Sequence, residues 1–419
     1  MCACGCCQAP TALREIHFSR GQGMTNGREV VILSGARTPI GKYGGALKDV
    51  RPTELGALAA REAIRRAGID AKEVEQLVFG NVIHTESRDM YFARFVALKA
   101  GLGVEAPALT VNRLCGSGLQ AVACVAQEIL AGNADVGVAG GAESMSRAPY
   151  WLHGLRWGQR MNNAVAVDVM IGALSDPFEE THMGITAENV ARRWKISRKD
   201  QDELALESHR RACDAIGRGV FREEIVPIDL VGKSEPRRFE NDEAPRPDAT
   251  LENLQKLKPA FEASGTVTAG NASSINDGAA AMVLMDQRAA SDRGLRPMGR
   301  FVDYAVVGVE PKYMGIGPVP AVKKLLMRTS VRLEQIDVFE VNEAFAAQAL
   351  AVIQDLGIPI DKTNINGSGI SLGHPIGATG AILVVKALYA LRRVGGRFAL
   401  ITMCIGGGQG IAALIEAVG

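Results

Sequence analysis

Cys115 stands in the stretch Asn112-Arg113-Leu114-Cys115-Gly116-Ser117-Gly118-Leu119, among glycines and just ahead of an apolar run with helical spacing. A thiol attacks only as thiolate, and the unpaired N–H groups and dipole of a helix start favour negative charge and lower the pKa there. The motif alone leaves two readings open, a nucleophile and a small buried hydrophobe. A nucleophile needs a base. Of the six histidines, only His374 lies in a comparable glycine-rich turn, SGISLGHPIGATG, where backbone can approach a ligand closely. Cys404, in TMCIGGGQG, ends an apolar strand, and the successive glycines after it would leave backbone N–H groups free to bind an oxyanion. Two thiols and one imidazole suit acyl transfer. Cys124 and Cys213 fall mid-helix and read as packing, while His17 and His209 read as structural or solvated.

These residues need elements to hold them. From residue 28 onward strand and helix alternate: REVVILSG, then TELGALAAREAIRRAG, then EQLVFGNVI, the pattern of an α/β protein. After NRLCGSG, the residues Leu119, Val122, Ala123, Ala126, Ile129 and Leu130 lie on one side of a helix, and the strand DVGVAGGAES follows. The last third repeats the plan. DVFEVNEAF matches EQLVFGNVI in position, NINGSGISLGHPIG stands where NRLCGSG stood, and GRFALITMCIGGG stands where DVGVAGG stood. Two similar halves are implied, 28–147 (completed by about 269–275) and 276–419. If they pack face to face, Cys115, His374 and Cys404 converge on one edge. Residues 148–268 differ, with irregular, charged and proline-punctuated stretches, and read as an inserted domain of loops and helices.

The chain has 419 residues, 47% of them hydrophobic and 22% charged, with a formal net charge of +1. That composition supports a large core and offers no basic field for nucleic acid or an anionic membrane surface. No transmembrane helix is expected. Of the eight cysteines, Cys2, Cys4, Cys6 and Cys7 crowd at the start without a second ligand cluster, so no metal site is expected. Residues 1–27 read as a disordered or misassigned extension, with the working chain beginning near Met24. The absence of an export signal, together with thiols that must stay reduced, points to the cytoplasm.

NRLCGSGLQAV, GGAESMSRAPY, GTVTAGNASSINDGAA, VNEAFAAQ, NGSGISLGHPIGATG and MCIGGGQGIA together resemble the thiolase family, in order from about residue 28 to the C-terminus. The nearest likeness is to bacterial β-ketothiolases of short- to medium-chain 3-ketoacyl-CoA metabolism, including those serving fatty-acid and polyhydroxyalkanoate pathways. The resemblance implies a duplicated five-layered α/β/α/β/α core with an inserted loop domain, and a dimer or homotetramer. It implies no bound cofactor, with coenzyme A as substrate. It makes Cys115 the acylated nucleophile, His374 its base and Cys404 the acid/base at C2 of acetyl-CoA. Asn342 would hold a water that forms one oxyanion hole with His374, and the backbone N–H groups of Cys115 and Gly406 would form the other. For CoA, it points to Arg246 at the nucleotide end and Ser273 at the pantetheine arm. His182, Met183, Phe261, Ala269, Met314 and Phe345 would line the acyl and pantetheine pocket. Gln409 departs from the methionine of many short-chain members. LCGSG also superficially resembles a papain-like protease signature but lacks its Cys and Trp, and a non-catalytic acyl-CoA or lipid binder would not need paired thiols.

Overall fold

The structure is a computed structural model that describes residues 27–230 and 237–418. The clustered cysteines and the extension expected over 1–27 lie, apart from Gly27, outside the described residues. In chain order the main strands are β1 (Val30–Arg37), β2 (Gln76–Gly80), β3 (Ala108–Val111), β4 (Val136–Ser144), β5 (Asn276–Asp286), β6 (Gly299–Gly308), β7 (Val338–Val341), β8 (Phe398–Ile405) and β9 (Gln409–Glu416). The main helices are α1 (Pro52–Ala67), α2 (Phe92–Ala100), α3 (Ser117–Ala131), α4 (Met183–Trp194), α5 (Arg198–Gly217), α6 (Pro318–Thr329), α7 (Ala346–Leu356) and α8 (Thr379–Val394).

The two halves have one topology. In the first, the strands lie in the order β3-β2-β4-β5-β1; in the second, the order is Thr363-β7-β8-β9-β6, with Thr363 bridging Phe339. In each, the first three members run parallel and the last two are antiparallel additions. Val30–Ile32 of β1 pairs with Gly299–Phe301 of β6 and joins the halves along one edge. The repeat expected from the loose sequence match is therefore present in strand order and direction.

Hydrophobic patterning explains the layers. α3 and α8 fill the middle, with Leu119, Val122, Ala126, Ile382, Val385 and Leu388 packed between Val78 and Ala139 of one sheet and Ile401, Met403 and Ile411 of the other. A helix covered on both sides is apolar nearly all round. That is why Leu114–Ala131, the one stretch among the described residues with the length and composition to cross a membrane, is instead the central layer of a globular core. Face to face, the halves thus meet through these two helices, while β1 and β6 pair directly along one edge. α1 and α2 cover the outer face of the first sheet, through Leu55, Ala59, Ala63, Phe92 and Val96. α6 and α7 cover the second, through Val319, Val322, Leu325 and Val352. The five α/β/α/β/α layers are complete.

The segment between β4 and β5 carries α4, α5 and short two-stranded ribbons. Its anchor is Arg37 at the end of β1, fully buried, which donates to Glu224 Oε1 at 2.8 Å and to both carboxylate oxygens of Asp242 at 2.7 and 2.9 Å. Removing one partner of such a buried ion cluster typically costs about 3–5 kcal/mol.

Candidate active site

Cys115 sits in the turn between β3 and α3. The Leu114 N–H donates to Asn112 Oδ1 at 3.0 Å, the Arg113 N–H donates to Ser117 Oγ at 2.8 Å, and the Ser117 hydroxyl donates to the Leu114 carbonyl at 2.7 Å. These local bonds hold Leu114 at φ 44°, a left-handed conformation that an unbranched-at-Cβ but bulky residue adopts at a cost and that aims the next side chain inward. The thiol is not acidic at rest. Burial pushes Cys115 up to about 11, with the Glu143 carboxylate adding to the rise, while the backbone N–H groups of Gly406 and of Cys115 itself pull the other way. The lowered pKa expected from the helix start is therefore overturned: desolvation outweighs the N–H groups. Cys115 needs a base to become a nucleophile.

His374 follows the short helix Gly369–Leu372 in the turn before α8. The Thr379 hydroxyl donates to the Pro375 carbonyl at 2.9 Å, so its oxygen accepts from His374 Nδ1–H at 2.7 Å. A hydroxyl has one proton to give. The neutral ring then carries its lone pair on Nε2, which lies 3.4 Å from Asn342 Nδ2. Burial lowers the pKa of His374 to about 4, which keeps it neutral near pH 7. The His374 N–H donates to Asn276 Oδ1 at 2.9 Å and fixes the loop to β5.

Cys404 is fully buried near the end of β8, and its pKa is raised by burial and by the neighbouring Cys115 thiolate. The two sulfurs are thus close enough to feel each other's charge, and both are free thiols. Asn342 follows β7 directly; its Oδ1 is buried and accepts from no protein group among the described residues. Cys115, His374, Cys404, Asn342 and Gly406 meet at the ends of strands and helices from both halves.

A cleft of about 500 Å³ reaches His374 and is lined by His182, Met183, Arg246, Phe261, Ala269, Ser273 and Phe345. The His182 and Phe261 rings stack with centroids 4.7 Å apart. Met314 is the exception among the expected lining residues. It packs behind the wall, buried with Met183, Phe345 and Cys404, and does not line the cleft. Arg246 stands where this cleft joins a second, more polar recess of about 410 Å³. His209 is structural, as expected: it is buried and accepts the Arg246 N–H at 3.2 Å.

Two family descriptions account for nearly the whole described chain. The thiolase N-terminal domain matches residues 30–288 and the thiolase C-terminal domain matches residues 295–417. The chain belongs to the thiolase family. It is 59% identical to the beta-ketothiolase BktB of Cupriavidus necator over 93% of this chain and 100% of that protein. It is 46% identical to an acetyl-CoA acetyltransferase of Syntrophomonas wolfei, again over 93% of this chain and 100% of the other. Human mitochondrial 3-ketoacyl-CoA thiolase superposes with a TM-score of 0.92 at 42% identity, covering 95% of this thiolase and 100% of the human chain. The human enzyme in complex with CoA gives 0.91 at 43% identity, over 94% of this chain and 98% of that one.

Sequence reasoning missed the supports of this thiolase's site. Thr379, which sets the histidine tautomer, lies inside the GHPIGATG stretch, five residues beyond the histidine. Asn276 and Glu143 lie in stretches already singled out but carry roles that only contacts reveal. Gln409 also gains a place: its Oε1 accepts from Arg113 Nη1 at 2.9 Å and links the loop after Cys404 to the nucleophile turn.

Proposed function

We propose that this chain is a β-ketothiolase, cleaving short- to medium-chain 3-ketoacyl-CoA with CoA and running the reverse Claisen condensation. The observation that carries the reading is the placement of buried His374, its Nδ1 against the Thr379 hydroxyl and its Nε2 facing Asn342, in a site that also holds two free thiols, the buried Cys404 and the half-buried Cys115. His374 takes the Cys115 proton, and the thiolate attacks the C3 ketone of the substrate. The tetrahedral oxyanion falls to the N–H groups of Cys115 and Gly406, which already point at the sulfur. The C2–C3 bond then breaks, its electrons form the enolate of acetyl-CoA, and Cys404 supplies the proton to C2. Asn342 orients a water with His374 beside that enolate oxygen. The thiol of incoming CoA returns a proton to Cys404 and attacks the acyl group on Cys115, and the released sulfur recovers its proton from His374.

CoA enters along the cleft with its nucleotide end toward Arg246 and its pantetheine arm past Ser273; the resemblance to a thiolase solved with CoA supports that placement. We read the 148–268 segment as the CoA-binding insertion. Large exposed apolar side chains on it, Trp151, Trp157 and Phe178, support assembly of copies, as a dimer of dimers. The cytoplasm, where thiols stay reduced, suits the chemistry, and similarity to BktB supports a supply role for polyhydroxyalkanoate synthesis. The test is CoA-dependent cleavage of acetoacetyl-, 3-ketohexanoyl- and 3-ketodecanoyl-CoA, with Cys115→Ala as control. Activity lost in the control by about 10⁴-fold or more is expected; no cleavage of any of them overturns the proposal.

A further inference from the structure

Strand register places Glu143 opposite Cys404 in the internal repeat. Gly80 pairs with Gly141 at the end of β2, and Val341 pairs with Thr402 at the end of β7. The next residues in β2 and β7 directions are Asn81 and Asn342. Two residues beyond Gly141 is Glu143, and two beyond Thr402 is Cys404. The turn residues follow the same relation: Cys115 precedes α3 by the spacing with which Gly377 precedes α8. The group Asn342, Cys404 and Cys115 thus has a counterpart in Asn81, Glu143 and Gly377.

The counterpart is fully buried and tightly bonded. Glu143 Oε2 accepts from the Gly377 N–H at 2.8 Å and the Val82 N–H at 3.1 Å. Its Oε1 accepts from the Ile83 N–H at 3.1 Å and from Asn81 Nδ2 at 3.2 Å. All four in-plane lone-pair positions are taken by N–H donors, which leaves no acceptor for an acid proton. Burial pushes Glu143 up to about 8, yet this donor set matches the carboxylate form. The carboxylate therefore ties the loop after β2 to the histidine turn of the other half. Cys115 packs against the same small cluster as Val82, Ile83 and Ile376 of those two segments, so the carboxylate stands near enough for its charge to act on the sulfur.

We infer that Glu143 is a positioning residue for the acyl transfer: it sets the His374 turn through Gly377 and presents a buried negative charge to the nucleophilic thiol. This rests on the thiolase reading for its kinetic part only. Glu143 is the charged group that raises the thiol, with Asp89 behind Glu143, His374 neutral near pH 7, and Cys404 itself raised by the Cys115 charge.

The test compares Glu143→Gln and Glu143→Asp with wild type, by steady-state kinetics and by the pH profile of iodoacetamide alkylation at Cys115, read by mass. E143Q keeps the shape and removes the charge. Its kcat should fall roughly a hundredfold with KM for CoA little changed, and its alkylation midpoint should move to lower pH. E143D keeps the charge but shortens the reach, so it should lose kcat while its alkylation midpoint stays in place. Should E143Q not fold, E143D carries the test. Wild-type kcat in either folded variant, or an unmoved midpoint in folded E143Q, overturns the inference. Alkylation needs no substrate, so its outcome stands even where the cleavage assay fails.

Discussion

At the ends of β2 and β4 stand Asn81 and Glu143; at the ends of β7 and β8, in the same register, stand Asn342 and Cys404. One backbone arrangement thus carries two fates. Glu143 is bonded to four N–H donors. Cys404 is a free thiol beside a second free thiol. Glu143, with both oxygens occupied, holds loops in place; Cys404, left with a reactive atom, does the chemistry. A duplicated fold gives two equivalent sets of strand ends, and side-chain identity decides which set becomes the site and which its support.

The largest break in that comparison is Cys404→Ala. It should lower kcat for cleavage by about 10³-fold, within the usual range for losing a general acid. It should still let labelled acetyl-CoA acylate Cys115, because that step uses the other thiol and His374. Single-turnover trapping measures this, and an absence of label on Cys115 would contradict the division of labour.

Gly377→Ala probes the supporting half. A Cβ there would lie 2.5 Å from Glu143 Oε2 and 3.1 Å from the Asn81 Cα, so the carboxylate or its loop must move. Overpacking of this kind costs about 1–3 kcal/mol. Thermal unfolding should show the loss, and an unchanged Tm would mean the contact is slack.

The smallest effect concerns pH. The folded pKa of His374 is lowered to about 4 by burial from an ordinary 6.5, and that of buried His209 to about 4 from 6.5, so across that window the unfolded chain binds protons that the folded chain does not. The contribution of these two histidines to stability should be complete above about pH 6.5 and decline as pH falls toward about 4. In His374→Gln the slope of unfolding free energy between those values should be shallower, with the His209 part remaining. An identical slope would show that His374 is not held neutral by the fold.

Much of this was legible in the chain. NRLCGSG, GHPIGATG and CIGGGQG marked Cys115, His374 and Cys404 because nucleophiles and bases at strand ends need glycine-rich approach, and glycine leaves a visible trace, whereas Asn342 in VNEAF came only through the family resemblance. Helical and strand periodicity showed the alternation of elements, while the five layers came from the family resemblance. The thiol pKa was misjudged because position at a helix start is local, whereas burial is set by what packs on top. Met314 was misplaced for the same reason: a methionine in a loop carries no mark that separates a cleft wall from the layer behind it.

The sequence by itself determined the family, the alternation of elements and the identities of the two thiols and the imidazole, because these depend on residue type and spacing. Tertiary structure alone decided the His374 tautomer through Thr379. It also decided the desolvation that keeps both thiols protonated and the convergence of Glu143 on Gly377 across 234 positions of chain. Those are properties of distance and dielectric, which arise only when segments far apart in the chain exclude water from the same small volume.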